Sequence, residues 1–224
     1  MANRVLGVLT IGQAPRDDIA ALFAAQVPSG TKVVLRGCLD GLSDEEIARH
    51  PPESGADALY TRLHGERDVK ISKKMVVARA PQALAALRDD GCDALVFACT
   101  GGFPPMAGDA GVVFPSRVLN GFVQGLLSQG RLGILIPLPE QAEKLTGKWA
   151  RSGLEIVAEP LRPSADGDEV MAAARRLKAK SPDLVVMDCM SYAPATKAAV
   201  KAELDVPVLL AITATGRVLR EMLE

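Results

Sequence analysis

The chain has 224 residues, 26 Lys and Arg against 27 Asp and Glu, and a formal net charge of -1, with 48% apolar and 24% charged residues. That balance describes a globular chain with room for one large domain or two small ones, and it argues against disorder. It lacks the basic excess of a nucleic-acid or membrane-surface binder, and at 4% aromatics it offers few stacking platforms for single strands.

The first apolar run, Val5–Ile11, predicts a strand, and Arg16–Ala25 predicts a helix with Pro15 at its first position and Asp17 and Asp18 in its positive first turn. Lys32–Gly37 predicts a second strand. The Gly41–Glu46 stretch reads as a helix cap with acidic first-turn residues. Within Ser54–Met75, the runs Leu59–Leu63 and Val69–Ile71 flank His64–Asp68 as an inserted hairpin. Beyond it come a helix over Pro81–Arg88 closed by Gly91, a strand over Ala94–Ala98 and a helix over Arg117–Leu127. Strands over Leu132–Ile136, Leu154–Ala158, Leu184–Met187 and Val206–Ile212 alternate with helices over Glu140–Arg151, Asp168–Ala179, Pro194–Glu203 and Thr215–Leu223. Most of these strand runs are apolar throughout, which suits strands buried on both faces of a parallel sheet. The alternation predicts an α/β fold of βαβ units.

Two strand ends carry the same chemistry. Ala94–Ala98 runs into Cys99-Thr100-Gly101-Gly102, and Leu184–Met187 runs into Asp188-Cys189-Met190-Ser191-Tyr192. Their separation is nearly half the chain, which predicts two similar halves rather than a short-period solenoid. The boundary is expected near Val113–Ser116. A first domain would comprise residues 1–115 with 205–224, and a second residues 116–204.

Ligands of open parallel sheets sit beyond the carboxyl ends of the strands. A thiol placed there is a candidate base or nucleophile, so Cys99 and Cys189 are candidate catalytic residues. The competing reading makes each a small buried hydrophobe. Gly101 and Gly102 would let backbone N–H groups approach an anion, and Thr100 adds a hydroxyl. The loop after the first strand, Thr10-Ile11-Gly12-Gln13-Ala14-Pro15-Arg16, is a candidate carboxylate or phosphate cradle; its alternative is a surface turn with Arg16 solvated. It has neither dinucleotide nor P-loop spacing. Arg117 stands at an expected helix start, where a cation opposes the dipole, so it reads either as a carboxylate ligand or as half of an ion pair. Cys38 and Cys92 default to structural roles. The two histidines, His50 and His64, have no metal-ligand spacing, so no metal site is expected. No G-x-S-x-G nucleophile elbow is present.

The segments Leu9–Arg16, Leu39–Ser43, Thr61–Leu63, Cys99–Pro104, Pro115–Arg117, Asp188–Tyr192 and Pro207–Leu210 resemble the AroM family over essentially the whole chain. That family is similar to the aspartate/glutamate/hydantoin racemase superfamily. The resemblance implies two similar parallel-sheet α/β domains facing across a cleft, with the C-terminal strand and helix returning to the first domain. It also implies cofactor-free catalysis with one cysteine from each domain on opposite faces of a substrate α-carbon. Cys99 matches the first position and Cys189 the second. The sequence departs from the racemase pattern in the residues after each cysteine, Thr100-Gly101 and Met190-Ser191.

The expected function is therefore a racemase or epimerase acting on a small carboxylate, with Thr10, Gly12, Gln13, Arg16, Thr100, Gly101, Arg117 and Met190 as binding residues. A decarboxylase or cis–trans isomerase of a dicarboxylate is the alternative within the fold, and a non-catalytic small-anion binding protein is the alternative outside enzymology. No cofactor, nucleic acid or membrane partner is expected. The sequence opens on no charged-then-apolar leader and holds no apolar run of membrane-spanning length, so a cytoplasmic location with reduced thiols is the expectation, and a homodimer is compatible with it.

Overall fold

Strand β1 (Val5–Thr10) is buried along nearly its whole length because helices cover both faces of the sheet it centres. The computed structural model describes residues 4–63 and 67–224, with backbone alone at 143–146. Helix α1 (Asp17–Ala24) leads from β1 to β2 (Lys32–Gly37), and the short α2 (Asp44–Ala48) comes next. A capping box closes the start of α2: the Ser43 hydroxyl accepts the Glu46 N–H, and the Glu46 carboxylate accepts the Ser43 N–H.

The expected hairpin is present as antiparallel β3 (Ala58–Arg62) and β4 (Asp68–Ser72), while His64 of its turn lies outside the described residues. Helix α3 (Lys73–Asp89) leaves β4 directly and carries the chain to β5 (Ala94–Phe97) and the short β6 (Val112–Val113). The helix expected from Pro81 thus starts two turns earlier. Ser72 caps it by accepting the Met75 N–H, and Val76, Ala80, Leu84 and Leu87 form one buried stripe through Pro81. Burial of that stripe outweighs the one backbone donor that Pro81 lacks.

Helix α4 (Pro115–Leu126) leads to β7 (Gly130–Ile136), then to a single 3-10 turn, α5 (Ala142–Trp149) and β8 (Leu154–Pro160). Then come α6 (Gly167–Lys178), β9 (Leu184–Met187), α7 (Pro194–Glu203), β10 (Val208–Leu210) and α8 (Ala211–Leu223). The chain forms two compact units, one ending at Pro115 and joined by Thr215–Glu224, the other spanning Ser116–Ala214. Both hold a four-stranded parallel sheet, ordered β2-β1-β5-β6 and β8-β7-β9-β10. The two sheets share one plan, in which the first strand lies between the second and the third.

This is the expected α/β fold of two similar parallel-sheet units, with one correction. The C-terminal strand does not return to the first unit, because β10 pairs with β9 through Val208–Leu210 and Val185–Met187. An apolar edge on β9 is covered that way, and only the tail of α8 goes back. There Gly216 is seated against Gln26, where a side chain would collide, and the Arg220 guanidinium donates to the Gln26 carbonyl at 3.4 Å. Helix α8 also begins one turn before the expected Thr215. Among the described residues no helix is long and apolar enough to cross a membrane.

Glu159 on β8 is a buried carboxylate held by Lys180 at 2.7 Å and by Arg176 at 2.9 Å. Burial pushes its carboxyl up, but the two cations prevail and hold it below the ordinary glutamate value. Its contribution to stability is therefore present above the unfolded value and is lost as pH falls through the folded one. Thermal melts of Glu159→Gln should show a lower Tm than wild type at neutral pH, with the gap closing as pH falls below the ordinary glutamate value. A gap that stays constant across that range would contradict the ion-pair account.

Candidate active site

In a sheet of order β2-β1-β5-β6 the connections leave β1 and β5 in opposite directions, which opens a crevice beyond their carboxyl ends. Three loops of the first unit meet there. Cys38 donates its N–H to the Thr10 carbonyl at 2.9 Å, and Leu39 donates to Gly12 at 3.0 Å. Asp40 locks these two loops together: its carboxylate accepts the Ala14 N–H at 2.8 Å and the Gly37 N–H at 2.7 Å. Arg79 of α3 binds the same turn from below, donating to the carbonyls of Cys38 at 2.6 Å and Asp40 at 2.9 Å.

Gly12 is required by sterics rather than by its own dihedrals. A Cβ there would stand 2.5 Å from the Arg62 carbonyl and 2.6 Å from the Thr61 hydroxyl, so the β3–β4 hairpin seats against this loop only because position 12 is glycine. Thr10 is buried, and its hydroxyl accepts the Gly12 N–H at 3.4 Å. The Gln13 amide nitrogen donates to the Leu42 carbonyl at 2.9 Å.

Arg16 is not solvated. It is 6% exposed, at the N-cap of α1, with its guanidinium in a two-point bond to Asp18 at 2.8 and 2.7 Å. Burial raises the Asp18 carboxyl, but the Arg16 hydrogen bonds and charge outweigh it and hold the group low. Pro15 accordingly lies ahead of the helix instead of at its first position.

Cys99 lies two residues beyond β5 and is buried, with its sulfur accepting the Gly101 N–H at 3.3 Å. A thiolate accepts such a bond more strongly than a thiol does. Thr100 beside it is buried, and Gly101 packs against Leu59 and Phe103. Cys38 is a neighbour of Cys99 in the same core, and burial, reinforced by the charge of Cys99, pushes its thiol far up. Cys92 lies in the turn before β5, at the other end of the strand, where burial and then Asp90 and Asp93 raise its thiol. His50 is exposed just after α2.

The second unit repeats the arrangement. Cys189 lies two residues beyond β9 and is buried, with Met190 buried after it. The loop is anchored by Tyr192, whose hydroxyl donates to the Leu161 carbonyl at 2.5 Å. Asp188 is buried before the cysteine and accepts both bonds of the Lys148 ammonium, at 2.7 and 2.6 Å, and the Trp149 indole N–H at 3.3 Å. Arg117 is exposed in the first turn of α4.

The structure thus gathers Thr10, Gly12, Gln13, Arg16, Cys99, Thr100 and Gly101 at one sheet edge in the first unit, and Cys189 with Met190 at the matching edge of the second. Sequence reasoning assigns no role to Asp40, Thr61, Arg79, Asp188, Lys148 or Trp149. Asp40 and Asp188 stand inside the family-like segments Leu39–Ser43 and Asp188–Tyr192, so both were within reach. Lys148 looks like an ordinary surface lysine on an amphipathic helix. Among the described residues no group of three or more His, Cys, Asp or Glu is placed to hold a metal ion. Taken by themselves, these edges offer thiols, hydroxyls and N–H donors, the groups suited to moving a proton at a carbon beside a carboxylate.

Replacing Gly12 with alanine should drive the hairpin off its seat. The expected cost is about 1–3 kcal/mol in denaturant unfolding, as for other overpacked sites. An unchanged unfolding midpoint would contradict the close approach.

The fold has solved counterparts. Glutamate racemase from Francisella tularensis subsp. tularensis SCHU S4, in complex with D-glutamate, matches over 100% of this chain and 82% of its own at 15% identity and a TM-score of 0.58. An arylmalonate decarboxylase matches over 98% of this chain and 91% of its own, at 13% identity and a TM-score of 0.63. The maleate isomerase Iso from Pseudomonas putida S16 matches over 95% and 90%, at 14% identity and a TM-score of 0.60. At such identities the likeness establishes a racemase-like fold and nothing finer. No curated protein matches the chain in sequence. The family model described as AroM protein matches residues 6–223, and the chain belongs to the AroM family.

Proposed function

We propose that this AroM-family chain is a cofactor-independent racemase or epimerase acting at the α-carbon of a small carboxylate, with Cys99 and Cys189 as its two acid/base groups. One observation carries the reading: each cysteine stands two residues beyond the third strand of a sheet, and the two sheets have the same strand order. Related folds in a racemase, a decarboxylase and an isomerase support it as fold-level analogy.

In the forward step the Cys99 thiolate takes the α-proton and becomes a thiol, leaving an enediolate on the substrate. The Cys189 thiol then delivers its own proton to the opposite face and becomes the thiolate. The α-carbon is inverted, no bond to sulfur forms, and the reverse reaction exchanges the roles. The hydroxyls of Thr10 and Thr100 hold the carboxylate and the developing oxyanion, while the Gly101 N–H stays on the Cys99 sulfur and supports its thiolate. Gly12 and Gln13 keep the first loop in place, Arg16 ties the end of that loop to Asp18, Arg117 supplies positive charge, and Met190 lines the second loop.

Decarboxylation of a dicarboxylate is the second reading. It needs one cysteine to protonate an enolate, and the unlike surroundings of the two thiols favour it: a backbone N–H on Cys99, a buried ion pair beside Cys189.

The test is deuterium incorporation at the α-carbon across amino, hydroxy and hydantoin acids, with the thiols kept reduced. Wild type should exchange with at least one acid, and Cys99→Ser and Cys189→Ser should each lower racemisation by about 10²–10⁴-fold. No exchange with any of them would contradict the racemase reading. Activity retained in Cys99→Ala and abolished in Cys189→Ala would establish the one-cysteine alternative instead.

A further inference from the structure

The two cysteine loops share one template and differ at the residue before the sulfur. Phe97 pairs with Leu9, and Met187 pairs with Leu135. The next N–H then returns to the same carbonyl, from Ala98 to Leu9 at 2.8 Å and from Asp188 to Leu135 at 2.9 Å. Where the first loop places a methyl group before its cysteine, the second places a carboxylate.

That carboxylate is 6% exposed and is gripped by Lys148 and Trp149 from the end of α5, with the ammonium also 5.1 Å from the centre of the indole ring. A buried ion pair is a poor source of stability, because the loss of hydration offsets the attraction. The first sheet ends its equivalent strand with an alanine, so the fold does not demand the pair. The elements beside β9 bring other charge at Glu140, in the turn after β7, and at Lys197, in the first turns of α7; β7 and β10 themselves end in Ile136 and Leu210, α8 opens with the uncharged Ala211–Ala214, and Glu159 of β8 is held by Lys180 and Arg176.

We propose that Lys148 and Asp188 are a positioning pair for Cys189: a charge-neutral clamp that fixes how readily this thiol ionises and so makes it unlike Cys99. With both charges present the pair adds no net charge beside this thiol, whose part in the proposed reaction is to donate. Cys99, which accepts a backbone N–H, is the partner ready to take a proton. The inference rests on the reading of Cys189 as an acid/base group, but its test reads the thiol itself, so it stands or falls separately from turnover.

The experiment tracks alkylation of Cys189 by iodoacetamide in the full chain, by peptide mass spectrometry, over about pH 6 to 10. Lys148→Met leaves a lone carboxylate, which disfavours the thiolate. Alkylation at fixed pH should slow on the order of tenfold and its pH midpoint should rise. Asp188→Asn leaves a lone ammonium, and the rate should change by a similar factor in the other direction, with a lower midpoint. Lys148→Arg should stay within about twofold of wild type. A clamp that merely held the loop in shape would speed alkylation in both charge-removing variants by exposing the sulfur. Changes of the same sign in both, or no change in either, would overturn the proposal. Should a single variant fail to fold, the double variant Lys148→Met/Asp188→Asn removes both charges together; its midpoint should match wild type, and a displaced one would overturn the proposal as well.

Discussion

The register between the first and third strand of each sheet decides everything downstream of it. A carboxylate locks that register twice over. Asp93 accepts the Val5 N–H at 2.7 Å while its own N–H donates to the Val5 carbonyl at 2.8 Å. Asp183 makes the same two bonds to Arg131, at 2.7 and 2.8 Å. A slip by one residue would turn every side chain of the strand to the other face, the cysteine loops included. Because both locks sit at the amino ends of the strands, they leave the carboxyl ends free to carry chemistry. The close packing of these strands also depends on glycine. A Cβ on Gly7 would stand 2.5 Å from the Leu95 side chain and one on Gly133 3.1 Å from the Val185 side chain, so the neighbouring side chains would have to give way.

From that shared plan the two units diverge where a ligand would meet them. The first unit inserts the β3–β4 hairpin and holds it with Gly12, so the loops around Cys99 are enclosed by Thr61, Leu59 and Phe103. The second has no such insertion among its described residues; it places a buried ion pair beside Cys189. One edge is thus dominated by backbone donors and hydroxyls, the other by a matched pair of charges.

Much of this was legible in the sequence because strand burial and helix capping are local signals. Unbroken apolar runs such as Leu184–Met187, and the recurrence of a cysteine after two of them, were enough to read two parallel-sheet halves. The hidden parts depended on partners distant in the chain. Pro81 argued for a helix start because the stripe through Val76, Ala80 and Leu84 belongs to a core that exists only once β1 and β5 have paired. The final strand fits the first half on resemblance alone, yet its choice of β9 is decided by an exposed apolar edge that no local pattern displays. Arg16 reads as a solvated turn residue; Asp18, two positions on, is what allows its burial. Lys148 meets Asp188 across 40 positions, and no spacing rule anticipates that bond. A repeat was there to be found: Leu6-Gly7-Val8-Leu9 and Leu132-Gly133-Ile134-Leu135 are one pattern, as are the Asp93 and Asp183 strand starts.

The proposed function requires Cys99 and Cys189 to serve a single carboxylate ligand. Alkylation of all four cysteines, read by mass spectrometry with and without candidate acids, tests it most directly. The account predicts that an acid which binds will protect Cys99 and Cys189 together and with the same concentration dependence. Cys38 and Cys92, whose thiols are pushed up by burial, should stay slow throughout. Protection of one of the pair without the other, or two thiols as inert as Cys92 in the native chain, would contradict it.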